Sequence, residues 1–123
     1  MGKTEKTSAE LFAAQALSSQ LRKELTGNIL PYWMTKVCLP EGGFIGRIDG
    51  KDNPCPDAPV GNIMTARILW TFASAYRIFR NEDYLKTALH AKKLLLERFY
   101  DKEFGGTYWS VSADGAPLDT KKQ

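Results

Sequence analysis

GGFIGRID, residues 42–49, and GGTYWSVS, residues 105–112, have the same design and stand sixty-three positions apart. Each opens on a glycine pair, runs into an aromatic, β-prone stretch and leads to an Asp-Gly, at residues 49–50 and 114–115. Glycine pairs of this kind allow positive φ where a helix ends and a turn begins. Working outward, each pair follows one helical pattern, and the first precedes another, so the repeating unit reads as helix, GG loop with a short strand or hairpin, helix. A unit of this length buries its apolar face only against copies of itself. Two copies are too few to close a core. The sequence is therefore expected to be the first part of a larger α/α array, or else copies of it must associate to cover the face left open.

Three helices can be read from capping and periodicity. Thr7-Ser8-Ala9-Glu10 has the spacing of a capping box and should start the first. Leu17, Leu21, Leu25 and Ile29, with Leu11 and Ala14 near the same side, form one apolar stripe, while Gln20, Arg22, Lys23 and Glu24 stay wet. Pro31 is expected to close this helix near Leu30, because a proline pushes the residue before it out of the α region. Tyr32 and Trp33 then turn aromatic surface inward or toward a cleft. The second helix, NIMTARILWTFASAYRIFR from Asn62, is apolar around most of its circumference and should be buried on most sides. Asn81 N-caps the third, with Glu82 and Asp83 in the first turn and Tyr84, Leu85, Ala88, Ala91, Leu95 and Phe99 on the apolar face. So short a connection makes the second and third helices a hairpin. TYWSV followed by Ala113-Asp114-Gly115 predicts a small β-hairpin, FIGRI a short strand, and the Pro-rich stretch after Gly50 irregular chain.

The 123 residues are 43% hydrophobic and 25% charged, the composition of one soluble globular domain. The net charge of +3 arises from Lys and Arg interleaved with acids, which leaves no single-sign block to follow a phosphate backbone, so nucleic acid is not expected as a partner. No stretch approaches the ~18 apolar residues of a membrane span, and the N-terminal residues lack the pattern of a secretory signal, so a cytoplasmic location without membrane contact is expected. Cys38 and Cys55 have no second pair and fit neither a zinc site nor a disulfide framework. They read as reduced thiols, and no metal is expected.

ELTGNILPYWM, GGFIGRIDG, ARILWTFASAYRIFRNEDYLKTA and GGTYWSVSADGAPLDTKK together resemble the N-terminal portion of cellobiose 2-epimerases, in the wider N-acylglucosamine 2-epimerase family. The match covers essentially residues 20–123. The resemblance implies an all-α fold, part of an (α/α)6 barrel of six helical hairpins with short β-hairpin loops, of which residues 1–123 would form about the first third as a fragment of a single domain. It also implies inversion at C2 of a reducing-end mono- or disaccharide, such as cellobiose or N-acylglucosamine: the ring opens, the C2 proton leaves to give an enediolate, and a proton returns on the other face. Histidines serve as base and acid with no cofactor, a task suited to a group that titrates near neutrality.

By the same resemblance, Arg67 matches the arginine of the ARILWTF motif and is the candidate catalytic residue, its guanidinium stabilising the enediolate oxygen. Tyr108, Trp109, Arg47 and Asp49 lie in the motif loops that resemble the sugar-facing end and are the candidate binding residues, while Trp70 is expected to pack. The family's proton-transferring histidines belong to later helices and its cleft tyrosine beyond Gln123, so the chain is expected to be inactive alone. Val60 stands where related sequences usually have lysine, and Thr65 where they have asparagine.

Each residue has a plainer reading. Arg67 could be an ion-pair partner of Asp49 or Asp57, Tyr108 and Trp109 could fasten a hairpin to the helices, and His90, the single histidine, reads as a packing or surface residue. The alternative to an epimerase is a non-catalytic helical module that self-associates, a homo-oligomer covering its open face, or that binds carbohydrate through Trp33, Trp70 and Trp109.

Overall fold

The Thr7 hydroxyl accepts the Glu10 N–H at 3.2 Å, and a Glu10 carboxylate oxygen accepts the Thr7 N–H at 2.9 Å, which is the reciprocal cap that their spacing predicts. The structure, a computed structural model, describes residues 7–122. The chain divides into two compact units, residues 1–33 and 34–123.

In the first unit, helix α1 (Ser8–Glu24) passes into a π-helical turn, Leu25–Ile29, and then a short helix α2, Leu30–Tyr32. A second π-helical turn, Trp33–Val37, follows. Pro31 thus does not close the helix, contrary to expectation. Inside an α-helix its ring would strike the carbonyl four residues back. The π turn inserts one residue, takes the Leu30 N–H to the Leu25 carbonyl and restarts the helix with Pro31 in its first turn, where a missing N–H is tolerated. The apolar stripe of α1 exists as a pattern but lies open: Leu11, Leu17 and Leu21 are exposed, and α1 buries no residue.

The second unit contains strand β1 (Val60–Gly61), helix α3 (Asn62–Phe79), helix α4 (Glu82–Leu94), a third π-helical turn (Leu95–Phe99) and strands β2 (Tyr108–Val111) and β3 (Pro117–Lys122). Arg80, left-handed at φ 56°, ends α3, and the Asn81 side chain accepts the Asp83 N–H at 2.9 Å to start α4. The two helices fold back on each other as predicted. Ile68, Phe72 and Ala75 of α3 are buried, as are Tyr84, Ala88, Ala91 and Leu94 of α4, with the Phe72 and Tyr84 ring centroids 6.0 Å apart. The opposite side of α3 is uncovered. Ile63 and Ile78 are exposed, and Trp70, expected to pack, is 73% exposed.

The sheet runs β1-β2-β3, antiparallel throughout, with Val60 opposite Val111 and Val111 opposite Pro117. Val60, Val111 and Phe99 form a buried cluster flanked by Met64 and Leu95, which fixes the hairpin to both the start of α3 and the end of α4. The hairpin β2–β3 agrees with the sequence reading, whereas β1, two residues long, gives no sequence signal. FIGRI forms isolated bridges at Phe44 and Ile48 rather than a strand, since it pairs only within its own loop. There Gly46 meets the chain so closely that a Cβ would lie 2.0 Å from the Pro59 carbonyl oxygen.

The repeat is present in the backbone. A bridge spans each glycine pair, Cys38 with Phe44 and Tyr100 with Thr107, and the leading glycines Gly42 and Gly105 both have positive φ. Farther on, Ile48 pairs with Pro54 as Val111 pairs with Pro117, and the Asp52 N–H reaches the Asp49 carbonyl as the Gly115 N–H reaches that of Ser112. These last pairings are displaced by the same sixty-three residues as the motifs.

Candidate sugar-facing residues

The first loop builds its turn around Asp49. One Asp49 oxygen, Oδ1, accepts the N–H groups of Lys51 at 2.8 Å and Asn53 at 2.9 Å, while Oδ2 lies 3.4 Å from the Asn53 amide nitrogen. These backbone donors, with Arg47 nearby, hold its carboxyl below the usual carboxylate range. Asp49 is thus primarily the residue that shapes the turn, and its Oδ2 keeps acceptor capacity. Arg47 is exposed on the same turn, its carbonyl accepting the Cys55 N–H. Lys36 pairs with Asp52 across the turn.

The second loop is organised by Asp101, four residues before the glycine pair. Asp101 is buried, one of its oxygens accepting the N–H groups of Glu103 at 2.9 Å and Phe104 at 3.1 Å, the other pairing with Lys122 at the end of β3. The Lys122 contact, followed by the Phe104 N–H, lowers its pKa to about 2. Sequence reading missed this residue. An Asp shortly before a glycine pair, able to accept from the amides two and three residues on, is the signal that would have found it.

Tyr108 and Trp109 stand on β2 beside Asp101's loop. The Lys122 ammonium lies 4.5 Å from the centroid of the Tyr108 ring and that of Lys121 5.4 Å from the Trp109 ring, so each aromatic is met by a β3 lysine. Trp109 is 42% exposed, leaving apolar surface for a planar or ring-shaped ligand. Tyr108 also borders an open depression of about 350 Å³ shared with Arg98, Asp101 and Glu103.

Arg67 stands on α3 within the helix that begins directly from β1, and Gly61 of β1 pairs with Ser110, the neighbour of Trp109. Arg67 is exposed and, among the described residues, makes no ion pair with Asp49, Asp57 or any other acid. Thr65 and Asn62, by contrast, are buried and bonded: Thr65 to the Gly61 carbonyl at 2.9 Å and Asn62 to the Thr107 hydroxyl at 2.7 Å, the latter joining the head of α3 to the second loop.

His90 has the packing role read for it. Its ring meets Phe44 edge-on at 5.2 Å and bonds the Gly43 backbone, while Nε2 is buried without a hydrogen-bond partner among the described residues. Burial is the main influence lowering its pKa, with Lys93 and Arg98 adding to it against the Gly43 bond. Cys38 and Cys55 are free thiols, and burial pushes that of Cys38 up. Among the described residues no three His, Cys, Asp or Glu are grouped to hold a metal ion, and no helix is long and apolar enough to cross a membrane.

A family model described as N-acylglucosamine 2-epimerase (GlcNAc 2-epimerase) matches residues 43–123. A protein named cellobiose 2-epimerase from Bacteroides fragilis is 51% identical over 110 residues, 89% of this chain and 28% of its own length. One of the same name from Dictyoglomus turgidum is 36% identical over 108 residues, again 28% of its length. The chain thus spans little more than a quarter of the curated relatives it matches. Among solved structures, cellobiose 2-epimerase from Spirochaeta thermophila superposes on 93% of the chain with a TM-score of 0.83 and 38% identity, covering 28% of that protein. The enzyme of that name from Bacillus thermoamylovorans superposes on 85% with a TM-score of 0.81 and 37% identity, covering 27% of that protein. The α3–α4 hairpin, the preceding helices and the unclosed sheet are accordingly part of an (α/α) toroid. In both sequence and fold the chain belongs to the N-acylglucosamine 2-epimerase family.

Proposed function

We propose that this chain forms part of a sugar 2-epimerase, as a segment of a single (α/α)6-barrel domain, and that the substrate is a reducing-end disaccharide of the cellobiose type. The observation that carries the reading is its likeness, over most of its length, to the protein named cellobiose 2-epimerase from Bacteroides fragilis. Arg67 supports it chemically: a permanently charged guanidinium that makes no ion pair among the described residues is available to an oxyanion, as a structural ion-pair residue would not be. In this reading Trp109 and Tyr108 offer ring faces to the sugar, Arg47 donates to its hydroxyls and Asp49 accepts through Oδ2. His90 does not serve as the proton carrier, being held against Gly43 and Phe44 inside the fold. The 123-residue chain alone is expected to bind sugar weakly and to leave it unchanged.

Two measurements on the chain test these statements. Incubation with cellobiose in deuterated water should give neither the C2 epimer nor deuterium at C2, and turnover would disprove the expected inactivity. Titration with cellobiose should shift the side-chain resonances of Arg67 and Trp109; unmoved resonances at saturating sugar would remove both from the site. A second reading, a module that self-associates without catalysis, is favoured by the exposed stripe of Ile63, Trp70 and Ile78 on α3.

A further inference from the structure

Arg98 lies on the π-helical turn that ends α4, where the two glycine-pair loops approach one another. Its Nη1 is 3.0 Å from the point a Cβ at Gly43 would occupy, and its Nε, Cδ and Cζ are 2.8, 2.9 and 3.0 Å from the corresponding point at Gly115. Both glycines are therefore bare on the side along which the arginine passes. At Gly115 a φ of +94° already favours glycine, but Gly43 is not among the positive-φ glycines. Among the described residues, and apart from its own chain neighbours, Arg98 is the one group within 4 Å that a Gly43 side chain would meet, so an added side chain there would press on the arginine. Asp114, next to Gly115, feels the Arg98 charge as well as its own Ser112 and backbone bonds. On the other side, His90 of α4 bonds the Gly43 backbone and meets Phe44, fixing the first loop from the same helix.

We propose that Arg98 is a positioning residue whose guanidinium, lodged between Gly43 and Gly115, sets the spacing of the loop bearing Arg47 and Asp49 relative to the hairpin bearing Tyr108 and Trp109. A displacement of either loop is then transmitted to the other through one side chain. The consequence for sugar rests on the reading of these loops as the sugar-facing end, but the coupling itself does not.

Amide hydrogen exchange separates the two. Leu39 and Ile45 report on the first loop, through bonds to Gly43 and Val37, and Ser112 and Gly115 on the second, through bonds to Ala116 and Ser112. Gly43→Ala, permitted by its backbone, should push the guanidinium aside and speed exchange at Ser112 and Gly115 by at least about twofold, the lower end of couplings between contacting residues. In an Arg98→Met background the same alanine should leave Ser112 and Gly115 unchanged. Arg98→Met by itself should speed exchange at all four amides, and Arg98→Lys, which keeps the charge near Asp114 but loses the planar fork, should restore Ser112 and Gly115 more than Leu39 and Ile45. An effect of Gly43→Ala confined to Leu39 and Ile45, or one that persists undiminished without Arg98, overturns the proposal. Cellobiose titration of the same samples addresses the sugar reading independently: coupling with no sugar-induced shift leaves Arg98 as the link between the loops and removes only the ligand.

Discussion

Asp101 and His90 respond to acid in different pH ranges, and each for a reason visible in its surroundings. The folded-state pKa of Asp101 is depressed from 3.8 to about 2 by Lys122 and two backbone amides, so its contribution to stability is present above the unfolded value and is lost as pH falls toward 2. Asp101→Asn should therefore destabilise the chain at pH 7 and flatten its acid unfolding below pH 4, followed by circular dichroism. The folded-state pKa of His90 is also lowered, chiefly by burial; for a base this means that protonation favours the unfolded chain, and stability falls as pH drops below the ordinary value of 6.5. His90→Gln should remove that part of the pH dependence, with midpoints measured between pH 7 and 5 as the check. The sequence reads His90 as a packing or surface residue, because a lone histidine lacks a partner to orient or charge it. It did not show Asp101, Arg98 or the bond between Asn62 and Thr107, because each depends on residues brought together only when loops fold against helices.

At the level of elements, capping and periodicity placed the starts of α1, α3 and α4 and the reversal at Arg80-Asn81. These signals are local, confined to a few consecutive residues, and so survive without tertiary information. Asn81→Ala should cost about 1 kcal/mol in urea unfolding by leaving the Asp83 N–H without its acceptor. Phe72→Ala should cost about 3–5 kcal/mol, since Phe72 is almost fully buried beside Tyr84. Local signals misled at Pro31, where the α-helical rule holds but the π turn just before it changes the register to which the rule applies. They were silent at β1, a strand of two residues whose existence is decided by its partner β2.

For the molecule as a whole, the doubled motif agrees with the partial (α/α) toroid fold, and α1 and one side of α3 carry exposed apolar residues. Trp70 looked like a core residue because the apolar pattern of α3 runs round the helix, yet only one side finds a partner among the described residues. Light scattering over a concentration series should show self-association, and Trp70→Gln should reduce it without changing the helical signal; a monomer at every concentration would count against exposed apolar surface as the driving feature. The equivalence of the two turns also has an asymmetry. Asp52 carries a side chain at the place that Gly115 occupies in the second copy, where a Cβ would meet Arg98 at 2.8 Å. A graft of residues 48–54 over 111–117 would therefore bring the Asp52 side chain against Arg98, and the opposite graft would remove the Asp49 carboxylate that holds the first turn and the Asp52 partner of Lys36, so the two turns share a backbone path without being exchangeable.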